Sequence, residues 1–231
     1  MQNLGFAYAL YPALEKLYPD PKDLAQATER HLCCFNSHPY FAATIVGGAV
    51  HHEEKVARGE ESSDAVNAYK QSLMGPLAAL GDGFFWLSLR PACGAFASLL
   101  ALAFVHSGMP LVGAIAGVAS YLIGYNVVHV VLRGRFFIQG YRLGDLVVEK
   151  IAASRLPVYG QRLRVLAAVA AGAAGGMSAL ALPLEPRMER FVALGAVGLF
   201  AACYGALAKG LSPYALVYAA SALALCIGVF F

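Results

Sequence analysis

Long apolar runs dominate the second half of the chain. Short polar stretches separate them, and each run is close to the length of about 20 residues that a helix needs to cross a bilayer. We predict five membrane-crossing helices, at residues 84–105, 109–132, 163–182, 191–208 and 214–231. Small residues, as in Ala170-Ala171-Gly172 and Gly175-Gly176, favour close contacts between helices. These helices are therefore expected to build a scaffold.

The first third of the chain has a different pattern, with apolar and polar residues alternating loosely at helical spacing. We predict amphipathic helices with breaks at Pro12 and at Pro19-Asp20-Pro21, then helices at Lys22–Phe35, Phe41–Val50 and Ala65–Leu73. The apolar segment Phe41–Val50 is too short to cross a bilayer and runs directly into His51-His52-Glu53-Glu54.

The stretch Met74–Pro91 lies between these two regions and is rich in helix breakers. Glycine costs about 1 kcal/mol and proline about 3 kcal/mol in a helix interior, so we predict a helix, a sharp turn at Gly81-Asp82-Gly83, and a second helix. In a membrane such a break is tolerated only where it is buried in protein or lines a cavity, and an ionisable residue there indicates a functional site. The alternative is a surface turn in which Asp82 caps the next helix.

Composition points in the same direction. Hydrophobic residues make up 59% of the chain and charged residues only 13%, whereas soluble domains have about 25% charged residues. We therefore predict an all-α, polytopic membrane protein. Residues 1–91 form its amphipathic and re-entrant region, with a broken re-entrant hairpin, and residues 92–231 form a region of about five transmembrane helices.

Charge sets the expected orientation and excludes some functions. The net charge of +3, without a run of Lys or Arg, argues against nucleic-acid binding. Basic residues concentrate between the second and third predicted spans: Arg133, Arg135, Arg142, Lys150, Arg155, Arg162 and Arg164. The positive-inside rule places that segment, and with it residues 1–83, on the cytoplasmic side.

The sequence offers little for catalysis or metal binding. The five cysteines are scattered, and the adjacent His51 and His52 cannot converge on one ion. Neither a metal nor a cofactor is predicted. Asn126 and His129 share a helix face and are expected to bond a neighbouring helix rather than a substrate. A membrane-embedded enzyme ranks last, since no nucleophile–base pair is present.

Several short motifs occur along residues 1–145. The chain opens with Met1-Gln2-Asn3-Leu4-Gly5-Phe6-Ala7-Tyr8, and its central stretch has Met74-Gly75-Pro76-Leu77-Ala78 with Gly81-Asp82, Phe85-Trp86 and Leu89-Arg90-Pro91. These motifs resemble the opening and the most specific block of the IID membrane component of the mannose/fructose/sorbose class of bacterial sugar phosphotransferase systems. Three further similarities are Arg30-His31-Leu32 with Phe35-Asn36-Ser37-His38-Pro39, Glu53-Glu54-Lys55, and Gly140-Tyr141-Arg142-Leu143-Gly144.

The resemblance implies a subunit that works in the bacterial inner membrane. Such subunits pair with a IIC membrane subunit, as trimers of heterodimers in known members, and together they carry a hexose. Cytoplasmic IIA and IIB proteins relay the phosphoryl group, so the chain is expected to be no enzyme by itself, and His31, His38, His51 and His52 are not expected to be phosphorylated.

Residues at the predicted helix breaks offer the amides, carboxylates and aromatic faces that hold sugars. The residues predicted to contact the sugar are Asn36, Glu53, Glu54, Asp82 and Trp86. Those expected to maintain the motif are Met74, Gly75, Pro76, Gly81, Arg90 and Pro91. Gly83 and His51-His52 depart from the family pattern, which leaves open an alternative function as a non-transporting regulatory or scaffold protein.

Overall fold

The computed structural model describes residues 2–180 and, beyond them, residues 191, 195, 198, 201–206, 209–212 and 215, with the side chains of Ala152, Ala179 and Leu180 excepted. The regular structure of residues 2–180 is entirely helical. Its α-helices are α1 (Asn3–Leu17), α2 (Pro21–His31), α3 (Ala42–Ala57), α4 (Ser63–Gly81), α5 (Arg90–His106), α6 (Pro110–Leu143), α7 (Val147–Ala152) and α8 (Leu156–Leu180). A π-helix, Asp82–Leu89, joins α4 to α5, and a 3₁₀ turn, Gly144–Leu146, joins α6 to α7.

The predicted break at Pro12 is wrong, because α1 continues through this proline. Phe6, Leu10 and Leu14 are buried along one side of α1. Burying three such side chains stabilises by about 1.5–3 kcal/mol each, which exceeds the cost of about 3 kcal/mol for an interior proline. The break at Pro19–Pro21 is confirmed, since the Asp20 carboxylate accepts hydrogen bonds from the first turn of α2 and Pro21 begins that helix.

Helix boundaries elsewhere differ from the expectation by several residues. The second helix ends at His31 rather than at Phe35, and α3 continues to Ala57 instead of ending before His51. The reason lies in the side chains that α3 buries beyond the apolar run, His52 and Glu53, which find polar partners inside the protein.

Glycines allow α3 and α6 to cross at close range. A Cβ atom at Gly47 would collide with the Phe137 carbonyl, and one at Gly140 would collide with the Thr44 carbonyl. The helices α5 and α6 meet in the same way, because Gly113 and Gly117 of α6 lie against the backbone and Cβ atoms of α5. Small residues thus set the spacing at these two crossings. At Gly172, Gly175 and Gly176, where the sequence predicted close contacts, a Cβ would meet nothing within 4 Å among the described residues.

Replacing Gly140 by Val is expected to destabilise the protein by about 1–3 kcal/mol or more, because the side chain would force α3 and α6 apart. Gly134 is the matched control: it lies in the same helix, and a Cβ there would meet nothing within 4 Å. Denaturant titration in detergent should show a lower midpoint for Gly140→Val alone. Equal midpoints for the two variants would contradict the crossing.

The prediction of a broken re-entrant hairpin is wrong. Gly81-Asp82-Gly83 does not form a sharp turn, and residues 63–106 form one continuous helix that includes the π segment. The Ser88 hydroxyl donates to the Gly83 carbonyl at 2.7 Å across this wider turn. The glycines cost about 1 kcal/mol each, and burial of Phe84, Phe85 and Leu89 outweighs that cost.

Two helices within the described part of the chain are long and apolar enough to cross a membrane, Ser63–His106 and Pro110–Ile151. Only 17% and 11% of the residues in their most apolar windows are buried inside the protein, so both expose apolar side chains outward, unlike core helices of soluble proteins. They contain the first predicted span and, except for Met109, the second. Helix α8 covers residues 163–180 of the third, and the fourth and fifth lie largely outside the described residues.

The chain divides into two compact units, Met1–Ala171 and Gly172–Phe231. All residues predicted to contact the sugar belong to the first unit. The predicted boundary between residues 91 and 92 lies within α5 and stays a prediction.

Candidate functional site

A buried carboxylate joins the first three helices. Glu53 of α3 is fully buried. Its Oε1 accepts from Arg30 Nε at 2.7 Å and lies 2.8 Å from His31 Nε2, while its Oε2 accepts from the Tyr18 hydroxyl at 2.7 Å and a second Arg30 nitrogen at 3.0 Å. We call Tyr18, Arg30, His31, Glu53 and Lys70 the Glu53 network, because Lys70 Nζ donates to the Arg30 carbonyl at 2.9 Å and lies 3.4 Å from His31 Nδ1.

The charges of this network are well defined. Burial by itself would raise the pKa of Glu53, but the hydrogen bonds from His31, Arg30 and Tyr18 outweigh burial and lower it to about 2. Burial is the main cause that lowers the pKa of His31, despite its bond to Glu53. A neutral His31 satisfies both neighbours if Nε2–H donates to Glu53 and Nδ1 accepts from Lys70. The carboxylate is therefore ionised, and both of its oxygens are occupied by hydrogen bonds within the protein.

Glu53 and Glu54 consequently differ in surroundings although they are adjacent. Glu54 is half-buried and accepts a hydrogen bond from the Tyr141 hydroxyl of α6 at 2.8 Å. His52 is buried, and its Nδ1 pairs with Glu61 at 2.7 Å. The described residues contain no group of three side chains suited to holding a metal ion.

A second group of residues forms around His38, in the connection between α2 and α3. The His38 ring packs directly on Gly81, where a Cβ would collide with it, and stacks on Phe85 with ring centroids 5.0 Å apart. Trp86 meets the same ring edge-on at 6.0 Å. Asp82 lies near enough for its charge to oppose, without reversing, the lowering of the His38 pKa by burial.

His38 has an unsatisfied nitrogen. The Tyr40 amide donates to Nδ1 at 3.3 Å, so Nε2 carries the hydrogen in the neutral ring. This Nε2 is buried and has no hydrogen-bond partner in the described part of the chain. A buried donor without an acceptor is costly, so this nitrogen is a candidate hydrogen-bond donor to a bound molecule. His38 stands in the motif Ser37-His38-Pro39. Because Asp82 is distant from it in sequence, the sequence did not indicate that the two residues lie near each other.

Asp82 and Trp86 are exposed beside His38, whereas Gly81 is buried beneath the ring. Arg90 lies over the Trp86 ring, with its guanidinium carbon 5.5 Å from the ring centroid, and orients the indole. We call the exposed residues Asp82, Trp86 and Arg90, together with the buried His38 beside them, the π-helix surface. The structure thus brings two of the five predicted sugar contacts together, along with a predicted motif residue and a histidine that had no predicted role.

Among the remaining motif residues, Met74 contacts the connection that carries His38. Asn36 is exposed there. Ser37 Oγ donates to the Met74 carbonyl at 3.1 Å, and the Gln2 amide exchanges two hydrogen bonds with the Ser37 backbone, at 2.8 and 3.1 Å. Three segments that are distant in sequence therefore converge. Gly75, Pro76 and Pro91 are exposed in α4 and α5.

A row of aromatic and polar side chains extends from this connection to α6. The Tyr40 ring stacks on His129 at 4.3 Å, and its hydroxyl lies 3.2 Å from that of Tyr125. His129 Nε2 lies 2.9 Å from Asn126 Oδ1. Asn126 and His129 thus pair with each other, and His129 meets a ring of the N-terminal region rather than hydrogen-bonding another helix as predicted.

An open groove of about 770 Å³ runs between α1, α3 and α6, bordered by Phe6, Val46, His129 and Arg133 among others. None of the five predicted sugar contacts lines it. Asp82 and Trp86 lie instead on an outward surface, so a sugar held there requires a second surface to enclose it.

Comparison with known proteins bears on what these surfaces do. Residues 1–185 match the model of the PTS system mannose/fructose/sorbose family IID component. The chain is 37% identical over 158 residues to the PTS system mannose-specific EIID component of Escherichia coli (strain K12), which covers 68% of this chain and 53% of the relative. It is 31% identical over 157 residues to the Fructose permease IID component of Bacillus subtilis (strain 168), with shares of 68% and 54%. The chain thus spans about half the length of the curated relatives it matches.

Two solved structures are similar along almost the entire chain. One is a cryo-EM structure of the mannose transporter ManYZ in complex with microcin E492, with 26% sequence identity and a TM-score of 0.55. The other is described as the structure of a membrane protein, with 27% identity and a TM-score of 0.68. Each comparison covers 98% of this chain and 87% of the other. With its family motifs gathered around the π-helix and two apolar helices exposed, this chain is a membrane protein of the mannose/fructose/sorbose family of phosphotransferase-system IID components.

Proposed function

We propose that this chain is a translocating subunit of a sugar phosphotransferase permease, which moves a hexose of the mannose, fructose or sorbose type across the bacterial inner membrane. The observation that carries the proposal is the π-helix surface: the most specific family block folds into one element that presents Asp82 and Trp86 beside His38. The chain itself transfers no phosphoryl group; soluble IIA and IIB partners do so.

The π-helix surface offers the chemistry that a neutral sugar requires. The Asp82 carboxylate accepts hydrogen bonds from hydroxyl groups, and the Trp86 indole covers a C–H face. His38 is buried and packs against the Trp86 ring. Arg90 acts on the indole rather than on the sugar. Asn36 is a further amide on the same connection as His38. Glu53, whose oxygens are occupied by the Glu53 network, supports the fold under this proposal, and Glu54 is left with a single bond to Tyr141.

A membrane partner completes the site under this proposal. Asp82 is exposed, and 45% of Trp86 is accessible in this chain alone, whereas sugar sites bury most of their ligand. One structural neighbour is the mannose transporter ManYZ, which supports pairing with a IIC subunit in a multi-pass complex. Trimers of such heterodimers, as the resemblance implies, belong to this proposal.

Sugar uptake tests the function. In cells that lack other hexose carriers, we expect phosphorylated sugar to accumulate only when this chain is expressed with its IIC, IIA and IIB partners. The control omits this chain and keeps the partners. Absence of accumulation, despite a stable complex in the membrane, would contradict transport and favour the regulatory or scaffold alternative, with Gly83 and His51-His52 as the first residues to exchange for those of the family.

A further inference from the structure

The C-terminal end of α6 and the adjacent α7 form a cleft that collects positive charge. The cleft has a volume of about 520 Å³ and is lined by Arg135, Ile138, Gln139, Arg142, Leu143 and Lys150. A neighbouring cavity of about 330 Å³ shares Arg135, Gln139 and Lys150 and adds Arg155. We call these two connected cavities the basic cleft.

Four cationic side chains line the basic cleft. Arg135, Arg142, Lys150 and Arg155 are exposed, and none forms an ion pair with another described side chain. No acidic side chain is found among the described residues that line either cavity. A cleft lined by charges of one sign attracts counter-ions, so the cleft is suited to an anionic ligand.

An exposed apolar stripe on α6 adjoins the basic cleft. Residues 127, 131, 135, 138 and 142 follow each other at intervals of three or four and therefore share one face of α6. Along that face, Val127 and Val131 are 56% and 60% exposed, and both belong to a helix long and apolar enough to cross a membrane. The transition from valine to arginine marks the level at which this helix leaves the hydrocarbon region. A ligand that fits the face carries a negative head and an apolar tail.

We propose that the basic cleft is a binding site for an anionic phospholipid. The headgroup phosphate lies among Arg135, Arg142 and Lys150, and an acyl chain lies along Val131 and Val127. Basic pockets beside membrane-crossing helices bind anionic headgroups in this way. A lipid is favoured over an acidic or phosphorylated protein because the cations continue an apolar, outward-facing stripe instead of a polar surface. The site is independent of the sugar-transport proposal and lies outside the π-helix surface.

The experiment compares two variants with equal loss of charge. The full chain is reconstituted in nanodiscs made from equal parts of phosphatidylglycerol and phosphatidylcholine, and the lipids that remain bound after release into mild detergent are counted by native mass spectrometry. The double variant Arg135→Gln/Arg142→Gln removes the cleft cations. The control Arg133→Gln/Arg162→Gln removes two exposed cations outside the cleft; Arg133 is two residues from Arg135 and so lies on another face of α6.

We expect the ratio of bound phosphatidylglycerol to phosphatidylcholine to fall at least fivefold in the cleft variant and less than twofold in the control. An equal fall in both variants would overturn the site in favour of general attraction to surface charge. An unchanged ratio in the cleft variant would also overturn it. Displacement of phosphatidylglycerol by soluble glycerol phosphate at low concentration would assign the cleft to a free phosphate group. Loss of a co-purifying acidic partner with unchanged lipid ratio would assign it to protein docking.

Discussion

Replacing Glu53 by Gln is expected to lower the free energy of unfolding by about 3–5 kcal/mol, the range found when one member of a buried ion pair is removed. The amide has nearly the same shape, so the loss arises from charge and hydrogen bonding. The introduced amide would turn an NH₂ group toward Arg30 or Tyr18, which are themselves donors to this position. The Arg30 guanidinium would then be left without its carboxylate in a largely buried place.

Glu54→Gln is the matched control, because it removes a neighbouring charge from the same helix. Its bond to Tyr141 is exposed and an amide oxygen can still accept it, so we expect a change below about 1 kcal/mol. Urea titration in detergent, followed by helical circular dichroism, measures both variants. If Glu53→Gln unfolds at the same denaturant concentration as Glu54→Gln, the Glu53 network does not hold α1, α2 and α3 together.

Replacing Asp82 by Asn is expected to reduce sugar uptake at least tenfold while the complex in the membrane stays intact. Hydrogen bonds to a charged group contribute about 1.5–3 kcal/mol, and each 1.4 kcal/mol corresponds to a factor of about ten in affinity or rate. Asp82 is exposed and forms no hydrogen bond or ion pair within the described residues, so the substitution should not disturb the fold of this chain.

Asp64→Asn provides the control for this variant, since Asp64 is an exposed acid in the first turn of α4 and lies far along the same helix. Uptake of labelled hexose and co-purification with the IIC partner are measured for both. Normal uptake by Asp82→Asn would remove Asp82 from the sugar site. Loss of co-purification would instead show that Asp82 is needed for assembly with IIC, which contradicts the expectation that the complex stays intact.

The predicted features that the structure confirms depend on local sequence. Apolar runs of about 20 residues require a helix in a membrane, because no other way of satisfying the backbone is available there. The break before α2 is local as well: Asp20 caps the helix, and Pro21 fits its first turn. The family motifs likewise identified the family before their arrangement was known.

Local preference failed where packing opposed it. Pro12 and Gly81-Asp82-Gly83 predicted breaks, because such residues cost a few kcal/mol in a helix interior. Both segments are nevertheless helical, because each side chain buried beside them contributes a comparable stabilisation. The two adjacent acids Glu53 and Glu54 looked equivalent in sequence. One is buried among three donors and the other reaches a tyrosine of α6, a difference that depends on which helix lies on each side of α3.

By itself, then, the sequence determined the class of protein, the position of its first two apolar helices and the residues that define the family. These features depend on the length of apolar runs and on short motifs, which extend over only a few helical turns. Only the tertiary structure decided that His38 packs against Gly81 and Trp86, and that Arg135, Arg142 and Lys150 share one cleft. The first set joins the connection between α2 and α3 to a distant helix, and the second joins Lys150 of α7 to the face of α6 that carries Arg135 and Arg142. Both depend on how separate elements pack and not on spacing along the chain alone.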